Sequence, residues 1–195
     1  MAGLRQEIRN QLTAFEDAMG RAPAYVDGHQ HVHQLPQVRD VLIEELSRRD
    51  QGQNVWLRAT RAAPHEAHAD LATCAKSWVI AHLGAQGLAQ LAHAHGMRQN
   101  RRLLGVYGFD GDAQAYRARL VRWLDSADEA DLLMCHVAAL PSNGWLLTPQ
   151  DDPIGRARTE EYSVWSAADL GDLLEQSGCS FAPMSSILRD RRVGG

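Results

Sequence analysis

The sequence has few residues of the types that mark several large protein classes. Three of its 195 residues are cysteine, an odd number without metal-type pair spacing, which argues against a disulfide framework or a cysteine-based zinc site. No apolar run approaches the roughly 20 residues of a membrane span, and the N-terminus lacks the apolar core of a signal peptide. Lysine and arginine total 20 against 24 aspartate and glutamate, so a nucleic-acid partner is not expected. These absences predict a reduced, cytoplasmic protein.

The length and the 45% hydrophobic content predict one domain over residues 1–195. Helical and strand-like patterns alternate, which is typical of a mostly parallel sheet or barrel. Helices are predicted over Leu4–Met19, Pro36–Leu46, Lys76–His95, Asp112–Ser126, and from a capping box at Ser166 to Gly178. Strands are predicted over Ala22–Val26, Val55–Ala59, Gly105–Phe109, Leu132–His136 and Ser180–Met184. Cys135 and Cys179 lie in apolar segments and are expected in the core.

The run Asp27-Gly28-His29-Gln30-His31-Val32-His33 carries the strongest chemical signal. If the preceding strand continues through it, the carboxylate and the three imidazoles share one face. These groups are typical ligands of zinc and related divalent ions. The run and His136 both follow predicted strands, where α/β folds bind ligands. The pattern therefore favours a metal or catalytic site over its alternative, a histidine-rich polar loop.

Residues 20–33, Gly-Arg-Ala-Pro-Ala-Tyr-Val-Asp-Gly-His-Gln-His-Val-His, followed by Pro36, resemble the central motif of the YdjC-like carbohydrate deacetylases. Residues 131–136, Asp-Leu-Leu-Met-Cys-His, resemble the late strand of the same family. Arg156 and Glu160-Glu161-Tyr162 lie where the family has a polar segment with an arginine. The resemblance spans nearly the whole chain.

This resemblance implies an α/β fold, a distorted (β/α) TIM-like barrel of mostly parallel strands, with one divalent ion, zinc or magnesium. It implies a hydrolase that removes N-acetyl groups from amino sugars or oligosaccharides and releases acetate. His29 would be a metal ligand, Asp27 would orient a neighbouring imidazole, and His136 would be the general acid that protonates the leaving amine.

Four further residues are candidates for contacts with the substrate. His31 is placed in the sugar pocket, and Trp145 is a candidate platform for stacking on a pyranose ring. His33 is either a site residue or a structural hydrogen-bonding group. Arg58 follows a predicted strand and either contacts the substrate or pairs with a carboxylate inside the barrel.

The sequence departs from the family at two motifs. The family's Asn-Ala-Asp-Asp-Phe-Gly strand supplies the catalytic base and a metal ligand, and a Gly-Leu-His motif supplies a second histidine ligand; neither occurs here. We therefore expect an incomplete barrel that lacks the N-terminal Asp-Asp strands, a metal ion that is weakly bound or absent, and a chain inactive alone. The open sheet edge would favour a homo-oligomer.

Two other functions remain as alternatives. The first alternative to a deacetylase is a non-catalytic sugar-binding remnant. The second is an amidohydrolase-type metal-dependent hydrolase, since a His-x-His pair at a strand end also marks that class. A nucleophile–base pair of Cys135 and His136 is set aside, because neighbours on a strand point to opposite faces.

Overall fold

The computed structural model describes residues 2–49, 55–61, 84–139 and 152–190. The chain divides into two compact units. The first comprises Met1–Leu103, Glu129–Leu132 and Ala182–Gly195, and the second comprises Leu104–Asp128 and Leu133–Phe181. Trp145 and the first part of the predicted helix over Lys76–His95 lie outside the described residues.

The described residues form seven α-helices and five short β-strands. The helices are α1 (Ala2–Met19), α2 (Pro36–Arg48), α3 (Ala85–Ala94), α4 (Ala113–Ser126), α5 (Gly155–Trp165), α6 (Leu170–Gln176) and α7 (Met184–Asp190). The strands are β1 (Tyr25–Val26), β2 (Trp56–Leu57), β3 (Arg98–Gln99), β4 (Leu103–Leu104) and β5 (Leu132–Leu133). In the part of the chain that is described, no helix is both long and apolar enough to cross a membrane.

Three of these strands form a parallel sheet in the order β1-β2-β3, and β4 and β5 form a second, two-stranded sheet. In the first sheet Val26 pairs with Leu57, which pairs in turn with Gln99. The next residues, Asp27 and Arg58, therefore leave the sheet side by side at its carboxyl edge, where α/β folds bind ligands. The prediction of an α/β fold with parallel strands is confirmed.

The core of the first unit lies between this sheet and the helices of the same unit. Pro36 opens α2, where its missing N–H costs no hydrogen bond. Gly20 ends α1 as predicted: its φ is +63° and its N–H donates to the carbonyl of Glu16 at 2.8 Å. The buried apolar residues of this cluster are Leu12, Leu42, Ile43, Leu46, Val55, Leu57, Leu88, Ala92 and Met97.

In the second unit α4 has the buried stripe that helical spacing predicts. Its four buried residues are Tyr116, Leu120, Trp123 and Leu124. Asp112 caps its first turn, since its carboxylate accepts a hydrogen bond from the Ala115 N–H at 2.9 Å. The boundary of this helix and its inward face are both confirmed.

The predicted strand over Gly105–Phe109 is wrong, because the strand comes earlier, at Leu103–Leu104. Gly105 ends it with a φ of +87°. A Cβ atom at Gly105 would lie 2.1 Å from the Met134 carbonyl oxygen, so the backbones approach more closely than any side chain allows. Gly105 therefore follows directly after β4 and does not belong to a strand.

The predictions for the C-terminal region are partly wrong. Ser166 does not cap the last helices: it follows α5, and its hydroxyl donates to the Tyr162 carbonyl at 2.7 Å. Residues Ser180–Met184 do not form a strand, because α7 begins at Met184 directly after Pro183. Cys135 is exposed and Cys179 is half-buried, so neither is the buried core residue that was expected.

Candidate active-site residues

The histidine run does not continue β1. Residues His29–Gln34 form two short 3₁₀ turns that are separated by a kink, where Gln30 and His31 have φ values of 49° and 66°. The prediction that Asp27 and the three histidines share one strand face is therefore wrong. Two successive residues in the left-handed region turn the chain away from the strand direction, and period-two alternation ends there.

Gly28 makes this turn sterically feasible. A Cβ atom at Gly28 would lie 2.6 Å from the backbone nitrogen of His33 and 2.8 Å from both the Cβ and the Nδ1 atoms of that residue. The Gly28 N–H donates to His33 Nδ1 at 3.1 Å. The turn therefore brings the last histidine of the run back against its start.

His33 makes the hydrogen bonds of a structural group, which is one of the two roles predicted for it. Its side chain is 2% exposed. Because the Gly28 N–H donates to Nδ1, the ring proton lies on Nε2, which donates to the carbonyl of Arg58 at 2.8 Å. Burial, followed by the charge of Arg58, lowers the pKa of His33. Both ring nitrogens are engaged by the backbone, so this imidazole is not a metal ligand.

Asp27 and Arg58 pair at the carboxyl edge of the sheet. Arg58 Nε donates to Asp27 Oδ1 at 2.5 Å, and an Nη atom of Arg58 reaches the Gly28 carbonyl at 3.3 Å. The Arg58 side chain is 5% exposed, whereas that of Asp27 is 42% exposed. The paired alternative for Arg58 is thus observed. Asp27 Oδ1 lies 3.8 Å from His33 Nδ1, beyond hydrogen-bond distance.

His29 and His31 lie in the kinked segment His29–Gln34, where His29 is exposed and His31 is half-buried. Within residues 2–49, 55–61, 84–139 and 152–190, no three His, Cys, Asp or Glu side chains come together in a group that could hold a metal ion. A catalytic zinc site takes about three such protein ligands. The described residues therefore do not by themselves complete a catalytic zinc site.

His136, in the second unit, follows β5 and is held by a carboxylate of α5. Glu161 Oε2 accepts a hydrogen bond from the His136 backbone N–H at 2.5 Å, and Oε1 lies 3.5 Å from the ring Nδ1. The Glu161 side chain is fully buried and that of His136 is 22% exposed. The imidazole and the Phe109 ring form a T-shaped pair with a centroid distance of 4.9 Å.

The hydroxyl of Tyr107 also donates to Glu161, to Oε1 at 2.7 Å. Burial and this hydrogen bond raise the pKa of Tyr107. Burial by itself would raise the pKa of Glu161, but hydrogen bonds from His136 and Tyr107 outweigh it and hold that pKa below its ordinary value. Glu161 is therefore an ionised carboxylate with donors on both oxygens.

Sequence reasoning assigned no role to Glu161 or Tyr107. The spacing in the sequence could have indicated Glu161. It lies four residues after Ala157 and three before Val164, which is the spacing of one helix face, and these three are the buried residues of α5. A carboxylate at a core position of a helix requires partners, because an unpaired buried charge is costly. Its partners were not predictable, since they come from distant segments of the chain.

The chain belongs to the YdjC-like protein family, which it matches over residues 1–176. Segments of it are similar to carbohydrate deacetylases from mouse, with 39% identity over 71 residues, and from human, with 51% identity over 43 residues. These segments make up 31% and 22% of this chain but 23% and 13% of the two relatives. The matched part is thus under a quarter of either relative.

The fold is also similar to the crystal structure of a protein named for cellobiose-phosphate cleavage, from Enterococcus faecalis. The TM-score is 0.60 at 18% sequence identity, over 94% of this chain and 59% of the other. At this identity the similarity establishes the α/β fold and nothing about the substrate.

Proposed function

We propose that this chain acts in the hydrolytic removal of N-acetyl groups from amino sugars, with His136 as the general acid. The observation that carries the proposal is the environment of His136. Its imidazole is partly exposed after a strand, and the buried Glu161 carboxylate accepts its backbone N–H and lies beside its ring Nδ1. Family membership and the carbohydrate deacetylases among the relatives support the substrate class.

Amide hydrolysis needs a proton on the departing nitrogen, because an amide anion is a very poor leaving group. A histidine that titrates near neutral pH can supply this proton. In the proposed step the oxygen of a water molecule bonds to the acetyl carbon, and that water loses a proton to solvent. The bond between the sugar nitrogen and the acetyl carbon breaks, and protonated His136 transfers its proton to that nitrogen. The products are acetate and a free amino sugar.

The resemblance assigns one divalent ion, zinc or magnesium, to the reaction, with His29 among its ligands. Such an ion would polarise the acetyl carbonyl and lower the pKa of a bound water. Because the described residues hold no group of three candidate ligands, we expect weak metal binding, and slow or no turnover by this chain alone. The roles of His29, His31, Asp27 and Trp145 remain proposals.

We infer further that the strands belong to a single (β/α) barrel-type domain of the YdjC-like kind. The parallel order β1-β2-β3 and the match over residues 1–176 support this architecture. A crystal structure of the whole chain would test it, and a sheet closed by antiparallel strands would contradict it.

Two measurements on the pure chain test the proposed function. Calorimetry with N-acetylglucosamine oligomers is expected to show saturable binding, which the corresponding glucosamine oligomers lack. Acetate release is then measured with and without added zinc or magnesium. Turnover that is lost in a His136→Gln variant would support the proposed activity and contradict the expected inactivity of the chain alone. Absence of both binding and release would contradict the proposed function.

A further inference from the structure

The pairing of Glu161 with His136 has a chemical consequence beyond anchoring α5. The carboxylate receives the backbone N–H of His136 on Oε2 and lies 3.5 Å from the ring Nδ1 with Oε1. The Nδ1 atom is itself buried and makes no hydrogen bond within the part of the chain that is described. Glu161 therefore holds the backbone of His136 by a hydrogen bond and places its negative charge beside one ring nitrogen.

The charge of Glu161 decides which ring nitrogen carries the proton of the neutral imidazole. An unprotonated Nδ1 would direct its lone pair at a fully buried anionic oxygen, whereas an Nδ1–H is attracted to it. The 3.5 Å separation is longer than an ideal hydrogen bond, as catalytic contacts often are before a substrate binds. The Tyr107 hydroxyl, which donates to Oε1 at 2.7 Å, keeps that oxygen in place.

Among the described residues, two other groups contact His136, and neither is placed to hydrogen-bond with Nδ1. The Phe109 ring meets the imidazole at 85°, edge to face, which limits ring rotation. The Arg158 guanidinium donates to the His136 carbonyl oxygen at 3.3 Å, on the backbone and not on the ring. Glu161 is thus the charged side chain of the described residues that lies beside the ring Nδ1.

We propose that Glu161 is the positioning residue of His136: it holds the ring in the Nδ1–H tautomer and leaves Nε2 to carry the transferable proton. In the reaction the Nε2–H bond of the imidazolium breaks as an N–H bond forms on the leaving amine. The ring keeps its Nδ1 proton and returns to the same neutral tautomer. Glu161 itself neither gains nor loses a proton.

This proposal rests on the proposed role of His136, but its test does not need catalysis. Ring ¹⁵N chemical shifts of the full labelled chain are recorded without substrate, at a pH where imidazoles are neutral, and His136 is assigned by its absence in His136→Gln. The wild-type ring is expected to be predominantly Nδ1–H. A predominantly Nε2–H ring in the wild type would overturn the proposal, whether or not the chain hydrolyses any sugar.

Two variants distinguish a Glu161 that sets the tautomer of His136 from a Glu161 that only stabilises the fold. Glu161→Gln removes the negative charge and is expected to shift the ring population toward the Nε2–H tautomer. Glu160→Gln is the matched control: its carboxylate accepts from the Ala113 N–H at 3.0 Å, and the His136 tautomer should not change. A Glu161→Gln spectrum with the wild-type tautomer would overturn the proposal, since anchoring alone would alter stability and not the tautomer. If Glu161→Gln does not fold, the wild-type measurement still decides.

Discussion

The Nε atom of Arg58 lies 2.5 Å from Oδ1 of Asp27, and this contact joins two neighbouring parallel strands just beyond their last paired residues. The guanidinium is nearly buried, while the carboxylate is partly in solvent. Asp27 therefore neutralises a charge that cannot reach water, and the pair stabilises the carboxyl edge of the sheet.

The first prediction concerns this pair. Asp27→Asn removes the negative charge that lies beside the buried Arg58 guanidinium, and we expect it to lower the free energy of unfolding by about 1–3 kcal/mol. Asp110→Asn is the control, because Asp110 is 62% exposed in its ion pair with Arg119 and such surface pairs contribute less than about 1 kcal/mol. Urea denaturation measures both. Equal losses in the two variants would show that burial of Arg58 does not set the strength of the pair.

The second prediction concerns the tight turn at the start of the histidine run. Gly28→Ala places a Cβ atom 2.6 Å from the His33 backbone nitrogen, and such overpacking costs about 1–3 kcal/mol. Gly3→Ala, in the first turn of α1, meets nothing within 4 Å and is expected to be neutral or slightly stabilising. Thermal unfolding of the two variants provides the comparison. A Gly28→Ala protein as stable as the wild type would refute the close packing described here.

The third prediction is a pH dependence due to His33. Because burial lowers its pKa from the ordinary 6.5, the unfolded chain takes up a proton there before the folded chain does. The stability that His33 contributes is therefore complete above about pH 6.5 and is lost as the pH falls below that value. The urea midpoint of the wild type should approach that of His33→Gln between about pH 7 and pH 5. Parallel midpoint curves over this range would exclude a neutral, buried His33.

The fourth prediction concerns the ionic cluster between α1 and α2. Hydrogen bonds from Arg9 and Arg5 outweigh burial and lower the pKa of Glu45 to about 2. The stability it contributes is present above the ordinary value of 4.5 and is lost as the pH falls toward about 2. Glu45→Gln should shift the neutral-pH urea midpoint more than Glu44→Gln, since the Glu45 side chain is 4% exposed and that of Glu44 is 42% exposed. A larger effect at Glu44 would contradict this assignment.

Sequence periodicity predicted the elements whose structure depends on local hydrophobic spacing. The inward residues of α4, including Tyr116 and Leu120, follow from a helical stripe that packs on its own unit. The end of α1 at Gly20 follows from a glycine in the left-handed region. Both features are local in sequence, so the residues that cause them lie within a few positions of each other.

Features that depend on contacts between distant residues were not predictable in this way. The alternation of Asp27 and the histidines after Val26 indicated a strand, but the chain turns at Gln30 and His31. Hydrogen bonds of the His33 ring to the Gly28 N–H and the Arg58 carbonyl stabilise this turn. Glu161 was visible on the inward face of α5, yet nothing in the sequence pairs it with His136. Such long-range pairing needs the folded chain.

One measurement tests the central claim most directly: an NMR titration of the labelled chain with the N-acetylglucosamine dimer, following the ring signals of His136. The proposed role as general acid predicts saturable shifts of these signals, with no comparable shifts from the glucosamine dimer, which lacks the acetyl groups. Unchanged His136 signals at saturating acetylated sugar, or equal shifts with both sugars, would contradict the role of His136 in deacetylation.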